Sequence, residues 1–228
     1  MNRGISLYRT ILAAIALHSI FANGCFSQSP SDETSKPLAD SVSEYSGEQG
    51  LHGWYYGYWD RTSDDDRKYN QAMDFRPLKH FGDDSITGIS TRTEFTTGKI
   101  WYLQDGKYYT SLWAEGGHAN SGKKLGNYAA TEHWAVRRWK SDVTASVTIS
   151  GHVGKVMPWG KNWNGGCRAL IVVDGKQVLS AEADEDEKDF SVDVKVEEGS
   201  FVDFLIGPGP SIGVIKFTAT IAPEAPSK

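Results

Sequence analysis

Val143, Ala145, Val147 and Ile149 alternate with Thr144, Ser146, Thr148 and Ser150. Side chains that repeat with period two lie on opposite faces of a strand, so this is a half-buried β-strand. Phe190, Val192, Val194 and Val196 repeat the pattern, Val202, Phe204 and Ile206 follow, and Ile215, Phe217, Ala219 and Ile221 close the series. Asp105-Gly106 and Asp174-Gly175 each interrupt two extended runs. Both are hairpin signals, because a two-residue type I′ turn needs positive φ at both positions. No window shows a helical period after the first two dozen residues. About nine or ten short strands in one domain, with turn signals between them, predict an antiparallel β-sandwich, a jelly roll.

The first 24 residues read as a signal peptide outside this domain. Arg3 and Arg9 supply the positive start, and Thr10 to Ala22 an apolar stretch shorter than the roughly 20 residues a membrane span needs. Ala22-Asn23-Gly24-Cys25 resembles a bacterial lipobox, which predicts lipid attachment at Cys25 and a membrane-anchored protein of the cell envelope; simple secretion is the alternative. From residue 25 to 50 the chain is polar and reads as a flexible linker. The domain is expected over residues 51–221, and 222–228 reads as a disordered tail.

Two cysteines, Cys25 and Cys167, exclude a disulfide framework. The formal charge is −5; removing residues 1–24 takes away Arg3 and Arg9 and no carboxylate, leaving −7. An acidic chain without a basic stripe is a poor partner for nucleic acid.

Gly53-Trp54-Tyr55-Tyr56-Gly57-Tyr58-Trp59 carries five aromatic rings. Such a run is either a strand buried on both faces or a platform on which sugar rings stack; the size of the rings favours core. In His133-Trp134-Ala135-Val136-Arg137-Arg138-Trp139, an arginine between aromatics can stack on them, pair with a carboxylate, or close one edge of the core.

These two segments, with Val173-Asp174-Gly175, Val202-Asp203-Phe204 and Phe217-Thr218-Ala219-Thr220-Ile221, form an ordered set. The set resembles a jelly-roll module that recurs in secreted bacterial proteins, often beside carbohydrate-active or adhesive domains. The resemblance implies a non-catalytic, carbohydrate-binding-like sandwich over residues 51–221. The pattern has His-Pro where this chain has His118-Ala119, and an Asn/Asp-rich segment where this chain has Gly207-Pro208-Gly209-Pro210-Ser211-Ile212-Gly213.

Candidate contact residues fall in two stretches read as loops. Residues 157–166 carry Trp159 and Trp163 beside Lys161, Asn162 and Asn164, an aromatic and amide set suited to a pyranose; the same tryptophans could instead fold back as a cover. Residues 115–128 carry His118. Trp159, Trp163, Asn162 and His118 are therefore the predicted ligand contacts. Gly117 to Lys124 nearly spells a phosphate-binding loop, but Lys124 replaces the required Ser or Thr and no helix follows.

No cofactor is expected. Asp64 to Asp66, Asp83-Asp84 and Glu182 to Asp189 offer oxygens for a structural calcium without the spacing of a calcium loop. The chain lacks a Gly-x-Ser-x-Gly elbow and a His-Glu-x-x-His motif. If it were a lyase or hydrolase, Glu94, Glu115 and Glu132 would be the first carboxylates to inspect. The reading that results is a lipid-anchored glycan-binding module of the cell surface. A protein-binding adhesion module of the envelope and a small polysaccharide lyase or hydrolase are its rivals.

Overall fold

The computed structural model describes residues 36–83, 98–103, 107–124, 126, 129–156, 166–183, 187–209 and 214–224. The strands are β1 (Ala39–Asp40), β2 (Trp54–Asp60), β3 (Arg76–Pro77), β4 (His80–Gly82), β5 (Ile100–Tyr102), β6 (Ser111–Trp113), β7 (Gly116–His118) and β8 (Asn120–Ser121). They continue as β9 (Glu132–Lys140), β10 (Ala145–Val156), β11 (Cys167–Val173), β12 (Lys176–Ala183), β13 (Lys188–Val196), β14 (Phe201–Gly207) and β15 (Val214–Pro223). One sheet runs β13-β10-β15-β7-β6-β5-β4, with β1 also on β15; the other runs β12-β11-β14-β9-β2-β3, with β8 on β9. Every pairing is antiparallel, giving the expected β-sandwich. Among the described residues no helix is long and apolar enough to cross a membrane.

The period-two stretches behave as their pattern requires. Val147, Ile149 and Val153 of β10 and Ile215, Phe217, Ala219 and Ile221 of β15 are buried, and they meet Trp54, Tyr56, Trp139, Ile171 and Phe204 of the facing sheet in one core. Asp174 and Gly175 take φ of 46° and 80°, the two positive values expected of a tight hairpin turn. Asp105-Gly106 falls outside the described residues.

Two segments depart from the sequence reading. Residues 36–50, expected as linker, belong to the domain: β1 pairs with β15, Ala39 is 1% exposed, and Tyr45 packs on Tyr56 edge to face at 5.1 Å. Few residues there are apolar, but hydrogen bonds fix it. The Glu44 carboxylate accepts from Trp54 Nε1 at 2.9 Å, and the Ser41 hydroxyl accepts from Ala219 N at 2.8 Å. At the other end β15 extends through Pro223, so the expected tail begins late.

Residues 115–128 are likewise more ordered than a loop, since β7 and β8 lie within them. Gly116 hides the strand from any periodicity test, yet it is what admits the strand: a Cβ there would stand 1.9 Å from the Ile215 carbonyl oxygen.

The aromatic run is core on both faces. Trp54 and Tyr56 enter the central core, while Trp59 joins Trp134, Val136, Val172 and Leu205 on the outer face of its sheet. Residues 61–78 form a strap over that outer cluster, contributing Tyr69 and Phe75. Gln71 pins the strap: its amide nitrogen donates to the carbonyls of Val172 (3.3 Å) and Phe201 (3.1 Å), and its oxygen accepts from Gly175 N at 2.7 Å.

The two adjacent arginines separate by face. Arg138 lies under the strap between the rings of Phe75 and Phe201, at 4.1 and 4.4 Å, and pairs with Asp203 through two bonds of 2.7 and 2.8 Å. Burial pushes the Asp203 carboxyl up, opposed by Arg138 and Tyr69. Arg137 points between the sheets, 3% exposed, and donates to the carbonyls of Trp113 and Ala114. It is a core residue rather than an edge.

Candidate functional site

One end of the sandwich collects the polar and aromatic groups that the core leaves over. At this end β2 finishes with Asp60 opposite His133 of β9, β15 starts with Val214 opposite His118 of β7, and β14 finishes with Gly207 opposite Arg168 of β11. The strand pattern dictates which side chains turn inward there. Tyr56 and Arg137 face the core as partners, so Tyr58 and Asp60, two and four residues along from Tyr56, continue the same face, as does His133, four back from Arg137.

His133 is 3% exposed and stands between two tyrosines. Its ring centroid lies 5.1 Å from that of Tyr58 and 4.7 Å from that of Tyr108, both tilted contacts. Both tyrosines are half-buried, each keeping part of its surface open to solvent. His133 Nδ1 is 3.0 Å from the Thr110 hydroxyl, and Nε2 is 3.8 Å from the Asp60 carboxylate.

Asn120 holds Tyr108 in place. Its side-chain oxygen accepts from Tyr109 N at 3.2 Å, and its amide nitrogen donates to the carbonyls of Ala129 (3.1 Å) and Thr131. At 2% exposed, it joins the segment before β6 to the segment before β9. Asp60 is fixed by Ser63 N at 3.1 Å and Arg76 at 3.2 Å. Beside it Arg61 makes two bonds of 2.8 and 2.9 Å to Glu132, whose Oε1 also accepts from Trp134 Nε1 at 3.0 Å.

This arrangement suits binding. Two partly open rings and a fixed carboxylate offer stacking faces and an acceptor for hydroxyl donors. Thr110, His133 and Asp60 stand in the order of a nucleophile, base and orienting acid. However, Thr110 has no exposed surface, so its hydroxyl is closed to an incoming substrate. Glu132 is committed to Arg61 and Trp134, and Glu115 sits across the fold at the turn between β6 and β7 with one carboxylate oxygen buried and unpartnered. Glu94 lies outside the described residues.

Of the residues predicted from sequence, Trp159, Asn162 and Trp163 lie outside the described residues, as does Cys25. The strands that flank them are described: β10 ends at Val156, paired with Val214, and β11 begins at Cys167, beside Arg168 and Gly207. That is the end that carries the tyrosines. His118 requires a correction as a surface contact. It is 3% exposed, its ring stacks on Tyr109 at 4.9 Å, and its Nδ1 donates to the Ala119 carbonyl at 2.6 Å. Burial lowers its pKa to about 4, so the ring is neutral near pH 7.

Sequence reasoning passed over Tyr58, Tyr108 and Asp60. Tyr58 was legible only as part of the aromatic run, and Tyr108 sits beside a hairpin signal with no pattern of its own. Among the described residues no group of three or more His, Cys, Asp or Glu side chains is placed to hold a metal ion.

A groove of about 550 Å³ crosses the outer face of the other sheet, with Glu115, Ser150, His152, Asp189, Lys216 and Thr218 on its walls. Its charged groups are largely satisfied by one another: His152 contacts Asp189 at 2.5 Å, and Lys216 contacts Glu187 at 2.8 Å.

No family model matches the chain, and no curated protein matches it. Among solved structures it is similar to a family 35 carbohydrate binding module from Clostridium thermocellum, with 9% identity over 40% of this chain and 71% of that one, at a TM-score of 0.29. It is also similar to a GH26-CBM35 β-(1,4)-mannanase from Podospora anserina, with 11% identity over 76% of this chain and 29% of that one, at 0.35. A third is the C-terminal CBM6 of LamC, a marine laminarinase from Zobellia galactanivorans, with 11% identity over 73% of this chain and 98% of that one, at 0.29.

Proposed function

We propose that this protein is an exported, lipid-anchored, non-catalytic module that binds glycan at the cell surface. The observation that carries the binding reading is the end of the sandwich where Tyr58 and Tyr108 stand partly open beside Asp60. Binding sites of small polar ligands combine a few aromatic faces with a few fixed polar groups, and this end has both. Trp159, Trp163 and Asn162, the contacts expected from the sequence, fall between β10 and β11 outside the described residues and belong to this proposal on the sequence alone. The anchor rests on the sequence alone, on the apolar stretch that ends in Ala22-Asn23-Gly24-Cys25.

Affinity electrophoresis and pulldown on a panel of insoluble and soluble polysaccharides test the binding reading. Retention on at least one glycan is expected, with loss of retention in the Trp159→Ala/Trp163→Ala double variant and no loss of fold. Retention on envelope protein and on no glycan would replace this reading with adhesion. Mass spectrometry of the mature N-terminus tests the anchor: a diacyl-modified Cys25 is expected, and an unmodified N-terminus refutes it.

A further inference from the structure

We infer that His133 is a positioning residue that sets the spacing of a two-ring platform, and that the ligand is an oligosaccharide long enough to reach both tyrosines. This rests on the glycan-binding reading above. The two tyrosines come from distant parts of the chain: Tyr58 from β2 in one sheet, and Tyr108 from the segment leading into β6 of the other. Each packs on the histidine, at 5.1 and 4.7 Å, rather than on the other tyrosine. His133 is thus the middle ring of three and bridges the two sheets at the open end.

The middle ring is held and the outer rings are open. His133 is buried, with its Nδ1 at 3.0 Å from a Thr110 hydroxyl that is itself fully buried. Tyr58 and Tyr108, each half-buried, both contact it. A buried ring that fixes two half-buried ones does not touch the ligand. It determines how far apart the stacking faces stand, and faces fixed before binding cost less ordering on association. With a third ring between them, one pyranose cannot cover both tyrosines, whereas consecutive sugars of a chain can. Asp60, fixed between Ser63 and Arg76, supplies an acceptor next to the Tyr58 side of the platform.

The full chain and three variants, His133→Ala, His133→Phe and Thr110→Val, test this. Isothermal titration with glucose, cellotetraose and laminaritetraose reads affinity, and NMR of selectively labelled tyrosine reads the positions of the Tyr58 and Tyr108 rings without any ligand. A tetraose should bind the wild type at least about tenfold tighter than glucose. His133→Ala should lower that affinity about tenfold while His133→Phe, which keeps a flat ring in the gap, stays within about threefold. A merely structural role would not separate the two by ring shape. In the NMR arm, both tyrosine signals should shift in His133→Ala, hold in His133→Phe and broaden in Thr110→Val. Equal affinity of His133→Ala and wild type, or equal loss in Ala and Phe, overturns the positioning role, and glucose binding as tightly as the tetraoses overturns the ligand class. If neither tetraose binds the wild type, the oligosaccharide reading of the site is overturned, and the tyrosine signals alone then decide the role of His133: unchanged signals in His133→Ala overturn it.

Discussion

Arg138 and Asp203 form a charged pair under the strap, with the carboxylate wholly buried and the guanidinium held between two phenyl rings. Removing one partner strands the other in a site without water, which typically costs ~3–5 kcal/mol. Asp203→Asn should therefore lower the urea midpoint severely, whereas the Arg138→Met/Asp203→Leu double variant should recover part of the loss, because no buried charge is left unpaired, although the Tyr69 hydroxyl and the Gln71 carbonyl each lose a partner. Equilibrium unfolding of the two variants checks it; similar midpoints would show that the pair is not coupled. His118 makes a pH prediction. Its folded pKa is depressed, from 6.5 to about 4, so between those values the unfolded chain binds more protons than the folded one. Its contribution is fully present above pH 6.5 and is lost as pH falls toward 4, by ~3 kcal/mol for a shift of this size. Denaturation between pH 7 and 4.5 should thus fall less steeply in His118→Phe than in the wild type, whatever the two absolute stabilities.

The strap over residues 61–78 is held largely by individual side chains. Gln71 satisfies two carbonyls and one amide of the hairpin and strands beneath it. Gln71→Ala removes these bonds, although the Phe201 carbonyl keeps Asp174 N at 3.1 Å; each group left unsatisfied where water cannot reach costs ~1–3 kcal/mol. The expected result is a moderate drop in global stability with faster amide exchange confined to the strap and to Gly175; exchange unchanged there would mean that the strap's other contacts hold it without Gln71. Elements of this kind were the hardest to read from sequence. The strap is charged and has no period, because its apolar anchors, Tyr69 and Phe75, are spaced by the sheet below and not by a strand or helix of its own. β7 was invisible for a related reason, since two of its three residues are glycines and an alternation test has nothing to count. The long strands were legible throughout: β10, β13 and β15 follow the alternation of their side chains, and Asp174-Gly175 takes the two positive φ angles its turn type demands.

At the scale of the whole domain, the segment from residue 36 to 50 was misread because composition reports burial poorly when hydrogen bonds do the holding. Ala39 fills a core position, while Glu44 and Ser41 each secure Trp54 and Ala219 through one bond and Gln49 secures the Tyr56 backbone through two. A protein that starts at Leu51 should accordingly melt well below one that starts at Ser35, by circular dichroism or scanning calorimetry, since it exposes the indole and phenol faces that this segment covers. Equal melting would return the segment to the status of a spacer. The candidate site was not legible in place: Tyr58, Tyr108 and His133 converge only because β2, β9 and the approach to β6 meet across two sheets, a proximity that no spacing along the chain encodes. The pairing of β1 with β15 has a directional consequence. Leu38 donates to the Ile221 carbonyl, so the backbone enters and leaves the fold side by side. β15 runs eight residues from Val214 to that point, ~24 Å of strand away from the pole that holds the tyrosines. A tether continuing from either of these strand ends would pull from the pole opposite the tyrosines.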